Sequence, residues 1–236
     1  MARDFDGTND NLINVNGFTG LTNATQLSSG GWYFRRTGAI AMSLMQDASQ
    51  DGAGNGQLIA MDLNGVGGST YTLSTLAMWS TTIGQWRTTN ADGSLNVRFH
   101  YCVTYDGGAT TNDPLLYVDG TSVSVTETAT PVGSLVTSGC DTLKMGERVN
   151  GGSDYDGQIQ HYFQHTGILS DGEVNRAKWW GRSIGGMLAY FPFVTDKLVN
   201  DGTQSATLTA TGTTVAELAT PVVRPGTAMM GMGIGW

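Results

Sequence analysis

Apolar and polar side chains alternate with a period of two over much of this chain. Between 97 and 105, Val97, Phe99, Tyr101, Val103 and Tyr105 share one parity and Arg98, His100, Cys102 and Thr104 the other. A strand with that pattern turns five apolar side chains to one side, which predicts a core strand in a sheet with one packed face. Ile40, Met42 and Leu44 alternate with small or polar residues in the same way, and 32–36, 57–63 and 69–78 read as further strands. Leu12, Ile13 and Val15 suggest a first strand beyond the Asp6-Gly7 turn, whereas 18–29 and the Gly-rich stretch 47–56 read as loops.

The clearest local signal is a hairpin. Leu115 to Val118 and Thr121 to Val125 flank Asp119-Gly120, a pair that favours the positive φ angles of a two-residue type I′ turn. Further on, Leu143 and Met145 alternate with Lys144, then Asp154, Asp156 and Gly157 form a turn leading into a strand at 158–164. Ser170-Asp171-Gly172-Glu173 fits a capping box. In that motif Ser170 accepts from the Glu173 amide, Glu173 reaches back to the Ser170 amide, and Leu169 and Val174 form a hydrophobic staple. It marks one short helix in an otherwise all-β chain.

The order of these pieces resembles the laminin-G-like, concanavalin-A-like jelly roll, the two-sheet antiparallel sandwich of lectins, pentraxins and some glucanases. FDGTND near the start, LLYVDGTSV, LKMGE and YDGQIQHYFQHTGILSDGEV carry the resemblance, which covers most of residues 4–180. It implies that the N-terminal strand pairs near the C-terminal one and closes the sandwich. The later run MLAYFPFVTDKLVNDGTQSATLTATGTT resembles the segment that trails such domains in phage sequences; Phe191-Pro192-Phe193, Asp201 and Thr220 to Pro225 match it. The expected organisation is a jelly roll at 1–185, trailing strands that pack on or complete it at 186–225, and an uncharged tail at 226–236. Met229, Met230, Met232, Ile234 and Trp236 of that tail need a surface to cover and are candidates for docking on a partner.

Composition narrows the function classes. The 34 glycines are about twice the usual share and the 14% charged residues fall well below the usual quarter, which argues for many turns and few helices. At 236 residues a single large all-β domain is ordinary. No apolar run approaches the roughly 20 residues that span a bilayer, and MARDFDGTND has no apolar signal core, so the chain is expected to be made soluble, in the host cytoplasm, with no membrane partner. The net charge is −8 and the twelve cationic residues are scattered, which argues against nucleic acid. Two cysteines and three dispersed histidines complete no zinc site. Cys102 and Cys140 read either as separate buried thiols or, on neighbouring strands, as one disulfide.

Catalytic signatures are missing from the sequence. The glutamates are Glu127, Glu147, Glu173 and Glu217, with no clustered pair of the kind a retaining sandwich glucanase uses, and no G-x-S-x-G elbow occurs. His161 and His165 are four apart on a predicted strand rather than a helix, so hydrogen-bonded or solvated imidazoles are expected there. The resemblance implies calcium held by rim oxygens, for which Asn150, Asp154 and Asp156 are the candidates; the same residues are also common turn-makers. For glycans, Trp79, Trp86 and Arg87 beside a predicted loop are the candidates, against the alternative that tryptophans of a sandwich fill its core.

With the resemblance, these features imply a non-enzymatic phage virion protein, most simply a capsid decoration or else part of a tail appendage, docked on other virion proteins and with no cofactor demanded. Self-association into a homo-oligomer is compatible with such a role. A carbohydrate-binding module recognising host surface polysaccharide is the alternative, and a degenerate glycoside hydrolase the third reading.

Overall fold

The computed structural model describes residues 2–14, 24–37, 42–48, 59–65, 69–136, 142–147, 154–180, 184–193 and 208–216. Alternation resolves into two antiparallel sheets. The strands are β1 (Ala2–Asp6), β2 (Asn11–Asn14), β3 (Gln26–Arg35), β4 (Met42–Ala48), β5 (Ile59–Gly65), β6 (Thr70–Ala77), β7 (Gly84–Thr88), β8 (Gly93–Ser94), β9 (Arg98–Asp106), β10 (Leu115–Val118), β11 (Thr121–Val123), β12 (Val125–Ala129), β13 (Thr142–Met145), β14 (Asp156–Thr166), β15 (Met187–Phe191), β16 (Thr209–Thr211) and β17 (Thr214–Ala216). One sheet runs β11-β10-β9-β3-β14-β1-β17 with β15 also on β14; the other runs β12-β7-β6-β5-β4-β13-β2-β16 with β8 on β6.

The termini close both sheets, as the resemblance implied. β1 pairs with β14 and β17, while β2 pairs with β13 and β16. Two strands, not one, therefore precede residue 15, separated by the Asp6-Gly7 turn. Strands beyond residue 186 hydrogen-bond within the same sheets as those before it: β15 continues along the edge of β14 that β1 begins.

Between the sheets lies a core of Phe5, Tyr33, Tyr71, Leu73, Trp86, Phe99, Tyr101, Val103, Tyr105, Leu116, Tyr162 and their neighbours. β9 sits near the middle of its sheet, and its apolar parity from Phe99 to Tyr105 faces this core; Val97 lies outside the strand and is 53% exposed. The other face of β9 is packed as well. Cys102 joins Tyr117, Phe163, Leu169, Val174, Ala177, Ile184, Met187 and Tyr190 in a second apolar layer, beneath the helix α1 (Asp171–Trp180). The alternating pattern predicted one packed face because His100 and Thr104 are polar; both are buried all the same.

A second correction concerns β3, which starts at Gln26 inside the stretch that reads as loop. Its first half, Gln-Leu-Ser-Ser-Gly-Gly, carries almost no apolar pattern because β9 and β14 flank it closely. A Cβ at Gly30 would come within 2.7 Å of the Tyr101 carbonyl oxygen, so small residues are needed there. β4 likewise continues to Ala48, into the predicted polar loop.

The hairpin of β10 and β11 turns at Asp119 (φ 50°) and Gly120 (φ 82°), the conformation expected of Asp-Gly. α1 is pinned to that turn: Asn175 Nδ2 donates to the Gly120 carbonyl at 3.0 Å, Lys178 Nζ to the Asp119 carbonyl at 2.7 Å, and the Tyr117 hydroxyl to Asp171 at 2.8 Å. Leu169 and Val174 are buried as the staple requires. The cap itself differs in one half. The Ser170 amide donates to Glu173 Oε2 at 2.9 Å as expected, but the Ser170 hydroxyl donates to the same oxygen at 2.7 Å, and the Glu173 amide bonds the Ser170 carbonyl instead. These bonds hold the Glu173 carboxyl below its usual range.

Candidate functional site

The predicted glycan contacts are placed otherwise than expected. Trp79 and Trp86 are 5% and 1% exposed and belong to the core between the sheets. Trp79 Nε1 faces inward and donates to the Tyr105 hydroxyl at 3.1 Å, and the Trp86 and Tyr105 rings lie 5.3 Å apart. Neither indole face is presented to solvent, so the core-filling alternative describes both. Arg87, next to Trp86 on β7, has the opposite parity, and its partly buried side chain is turned away from that core.

Of the three calcium candidates, two fall among the described residues. Asp156 is committed to Arg36, which pairs with it at 2.9 Å and also with Asp4. Asp154 keeps one buried carboxylate oxygen without a hydrogen-bond partner, and Asn150 lies outside the described residues. Among the described residues no group of three or more His, Cys, Asp or Glu is arranged to hold a metal ion. His161 and His165 are separately engaged: His161 Nδ1 lies 2.5 Å from the Tyr190 hydroxyl, and His165 Nε2 lies 2.8 Å from the Gly185 carbonyl oxygen. Glu147 pairs with Lys144 at 2.8 Å and accepts from Asn11. Cys102 is a free, buried thiol, while Cys140 and all five tail candidates, Met229, Met230, Met232, Ile234 and Trp236, lie outside the described residues.

A pocket of about 440 Å³ opens at the rim of the sandwich, where β9 ends and β10 begins. Its walls come from Thr104 and Asp106 on β9, Thr111, Asn112 and Asp113 in the connection, Leu115 on β10, and Ile168 before α1. Each part is held in place. Asp106 accepts from Gln26 Nε2 at 2.9 Å through one oxygen and from the Gly108 amide at 2.9 Å through the other. Asp113 precedes a proline, which restricts it to extended backbone, and its Oδ1 accepts from Trp86 Nε1 at 2.7 Å. Ile168 sits between Gly167, whose carbonyl accepts from the Ser28 hydroxyl, and Leu169, whose amide donates to that same hydroxyl oxygen. Trp86 therefore reaches the pocket wall through its N–H, bonded to Asp113, and not through its ring face.

The pocket is amphipathic. Leu115 and Ile168 are 48% and 40% exposed, two of only four large apolar side chains so exposed among the described residues. Carboxylate, amide and hydroxyl groups complete the lining. Beneath, burial pushes the Tyr105 phenol up to about 12, so it stays protonated in its contact with Trp79. Sequence reasoning passed over the pocket because 106–114 carries no aromatic residue and no catalytic motif; a Leu close after the Asn112-Asp113 pair was the one available signal.

A putative carbohydrate-binding protein from Bacteroides ovatus superposes with a TM-score of 0.62 at 14% identity, over 94% of this chain and 62% of that one. The native heptameric SAP-like pentraxin of Limulus polyphemus does so with a TM-score of 0.58 at 14% identity, over 75% of this chain and 81% of its own. The fold is a lectin-like jelly roll. The CBM40 module of the Ruminococcus gnavus IT-sialidase also superposes on this jelly roll, at a TM-score of 0.56 and 10% identity, over 75% of this chain and 97% of the module. No family model matches the sequence, and no curated protein does. At such identities the likeness establishes the jelly roll alone.

Proposed function

We propose that the protein is a non-catalytic carbohydrate-binding module whose site is the rim pocket. The observation that carries this reading is the pocket's mixed chemistry: exposed Leu115 and Ile168 line it together with the polar side chains of Asp106, Asn112 and Asp113. A pyranose has the matching character, with C–H groups on its faces and hydroxyl donors around its edge. The volume lies within the range of about 300–1,000 Å³ usual for small-ligand sites. Supporting it, one structural neighbour is described as a putative carbohydrate-binding protein and another was solved bound to α2,3- and α2,6-sialyllactose. The test is a glycan array followed by calorimetric titration of the full chain. Specific glycan binding that weakens in Leu115→Arg is expected, and absence of binding across a broad array would refute the proposal.

A second proposal concerns where the module works. The likeness of its segments to phage-associated chains, and the uncharged tail from Gly226 to Trp236, support attachment to a virus particle. Truncation after Pro225 is expected to abolish incorporation into particles. Undiminished occupancy by the shortened chain would remove the docking role of Met229, Met230, Met232, Ile234 and Trp236.

A further inference from the structure

The charge of the pocket decides which glycans it can take. Among the described residues its ionisable lining consists of two carboxylates, Asp106 and Asp113, with no Lys, Arg or His side chain. The remaining polar groups are two threonine hydroxyls and the Asn112 amide. Asp106 already accepts a bond at each oxygen. Asp113 has Oδ1 tied to Trp86, while its other oxygen accepts no hydrogen bond among the described residues and the residue is exposed at the mouth. The pocket therefore holds an open acceptor in the second Asp113 oxygen, and a ring of hydroxyls supplies donors for it.

An acidic sugar meets the opposite situation. Its carboxylate or sulfate would lose water on entering, with no cation to replace the lost solvation, and would stand beside two like charges. The net charge of −8 over the whole chain adds a long-range term of the same sign. Resting on the carbohydrate-binding reading above, we propose that this pocket selects glycans without negative charge and rejects sialylated, uronic or sulfated ones. It does so by hydrogen bonding directly to sugar hydroxyls from Asp113 and Asn112, with Leu115 and Ile168 against the apolar ring face. The neighbour solved bound to sialyllactose, in contrast, holds an acidic glycan.

The experiment uses the full chain on an array of neutral and acidic glycans that share a core, for example lactose beside its sialylated and sulfated forms, with and without EDTA. Binding confined to uncharged members and unchanged by EDTA is expected. In Ile168→Glu, a substitution at an exposed side chain, affinity for the best neutral glycan should fall at least about tenfold as the apolar contact with the ring face is lost. In the double variant Asp106→Asn, Asp113→Asn, the acidic partner of the same core should gain about tenfold relative to the neutral one, and the wild-type discrimination should shrink with added salt. Binding of acidic glycans as tight as neutral ones, loss of binding in EDTA, no gain for the acidic partner in the double variant, or an undisturbed Ile168→Glu protein would each overturn the inference while leaving the module a lectin. Failure of the wild type to bind any glycan would instead overturn the carbohydrate-binding reading itself.

Discussion

Trp86 offers the sharpest test of how the core prepares the pocket. Replacing it with Phe keeps an aromatic ring in the core but removes the N–H that Asp113 accepts at 2.7 Å. Two costs follow. The smaller ring leaves roughly 40 Å³ unfilled, which at about 24 cal/mol per Å³ is close to 1 kcal/mol. A hydrogen bond to a charged acceptor contributes about 1.5–3 kcal/mol, and the lower end applies because Asp113 is exposed and regains water when released. Trp86→Phe should therefore lose about 2.5 kcal/mol in urea unfolding. A double-mutant cycle with Asp113→Ala isolates the bond from the cavity, because the cavity term is common to both arms. The expected coupling is about 1–1.5 kcal/mol. Glycan affinity should fall in Trp86→Phe, since the carboxylate is no longer held. A coupling indistinguishable from zero would show that the indole does not fix Asp113, and the argument for a prepared pocket would fail with it.

His100 lies buried with both ring nitrogens lacking partners, and burial first, then Lys178 and His161, push its imidazole down to about 3. The unfolded chain, titrating near 6.5, takes up the proton first, so stability present above pH 6.5 is lost as pH falls towards 3; from pH 7 to 4.5 that amounts to about 2.5 kcal/mol. His100→Leu should lose correspondingly less over that interval, and parallel pH profiles of unfolding would refute this. In a Cys140→Ser background, Cys102 should resist thiol reagents in the folded state and react on unfolding, because it is fully buried and its thiol is pushed well up; native-state labelling would contradict the placement. Gly120→Ala should cost about 1–2 kcal/mol for the left-handed backbone, and more from contact with Asn175, whose Oδ1 lies 2.3 Å from the added Cβ position; unchanged urea unfolding would mean that the turn relaxes freely.

Much of the fold was legible wherever neighbours in sequence are also neighbours in space. The Asp119-Gly120 turn, the stapled start of α1 and the parity of Phe99 to Tyr105 are local properties of backbone preference and side-chain period, and the structure has each of them. The order of these pieces pointed to the lectin-like jelly roll. What pattern concealed was the start of β3, where packing from both sides calls for Gly and Ser, residues that otherwise signal a loop.

The site was much less legible. Trp86 and Arg87 are adjacent in the chain but belong to opposite faces of β7, and Trp86 meets Asp113 only because the sheets stack. Ile168 stands beside Leu115 because α1 folds back over the first sheet, 53 positions along the chain. Composition and alternation determine which residues seek the interior, since burial and backbone geometry act residue by residue. Which of them end up at a shared rim depends on strand order and register, and those are set by contacts between distant segments that no local pattern contains.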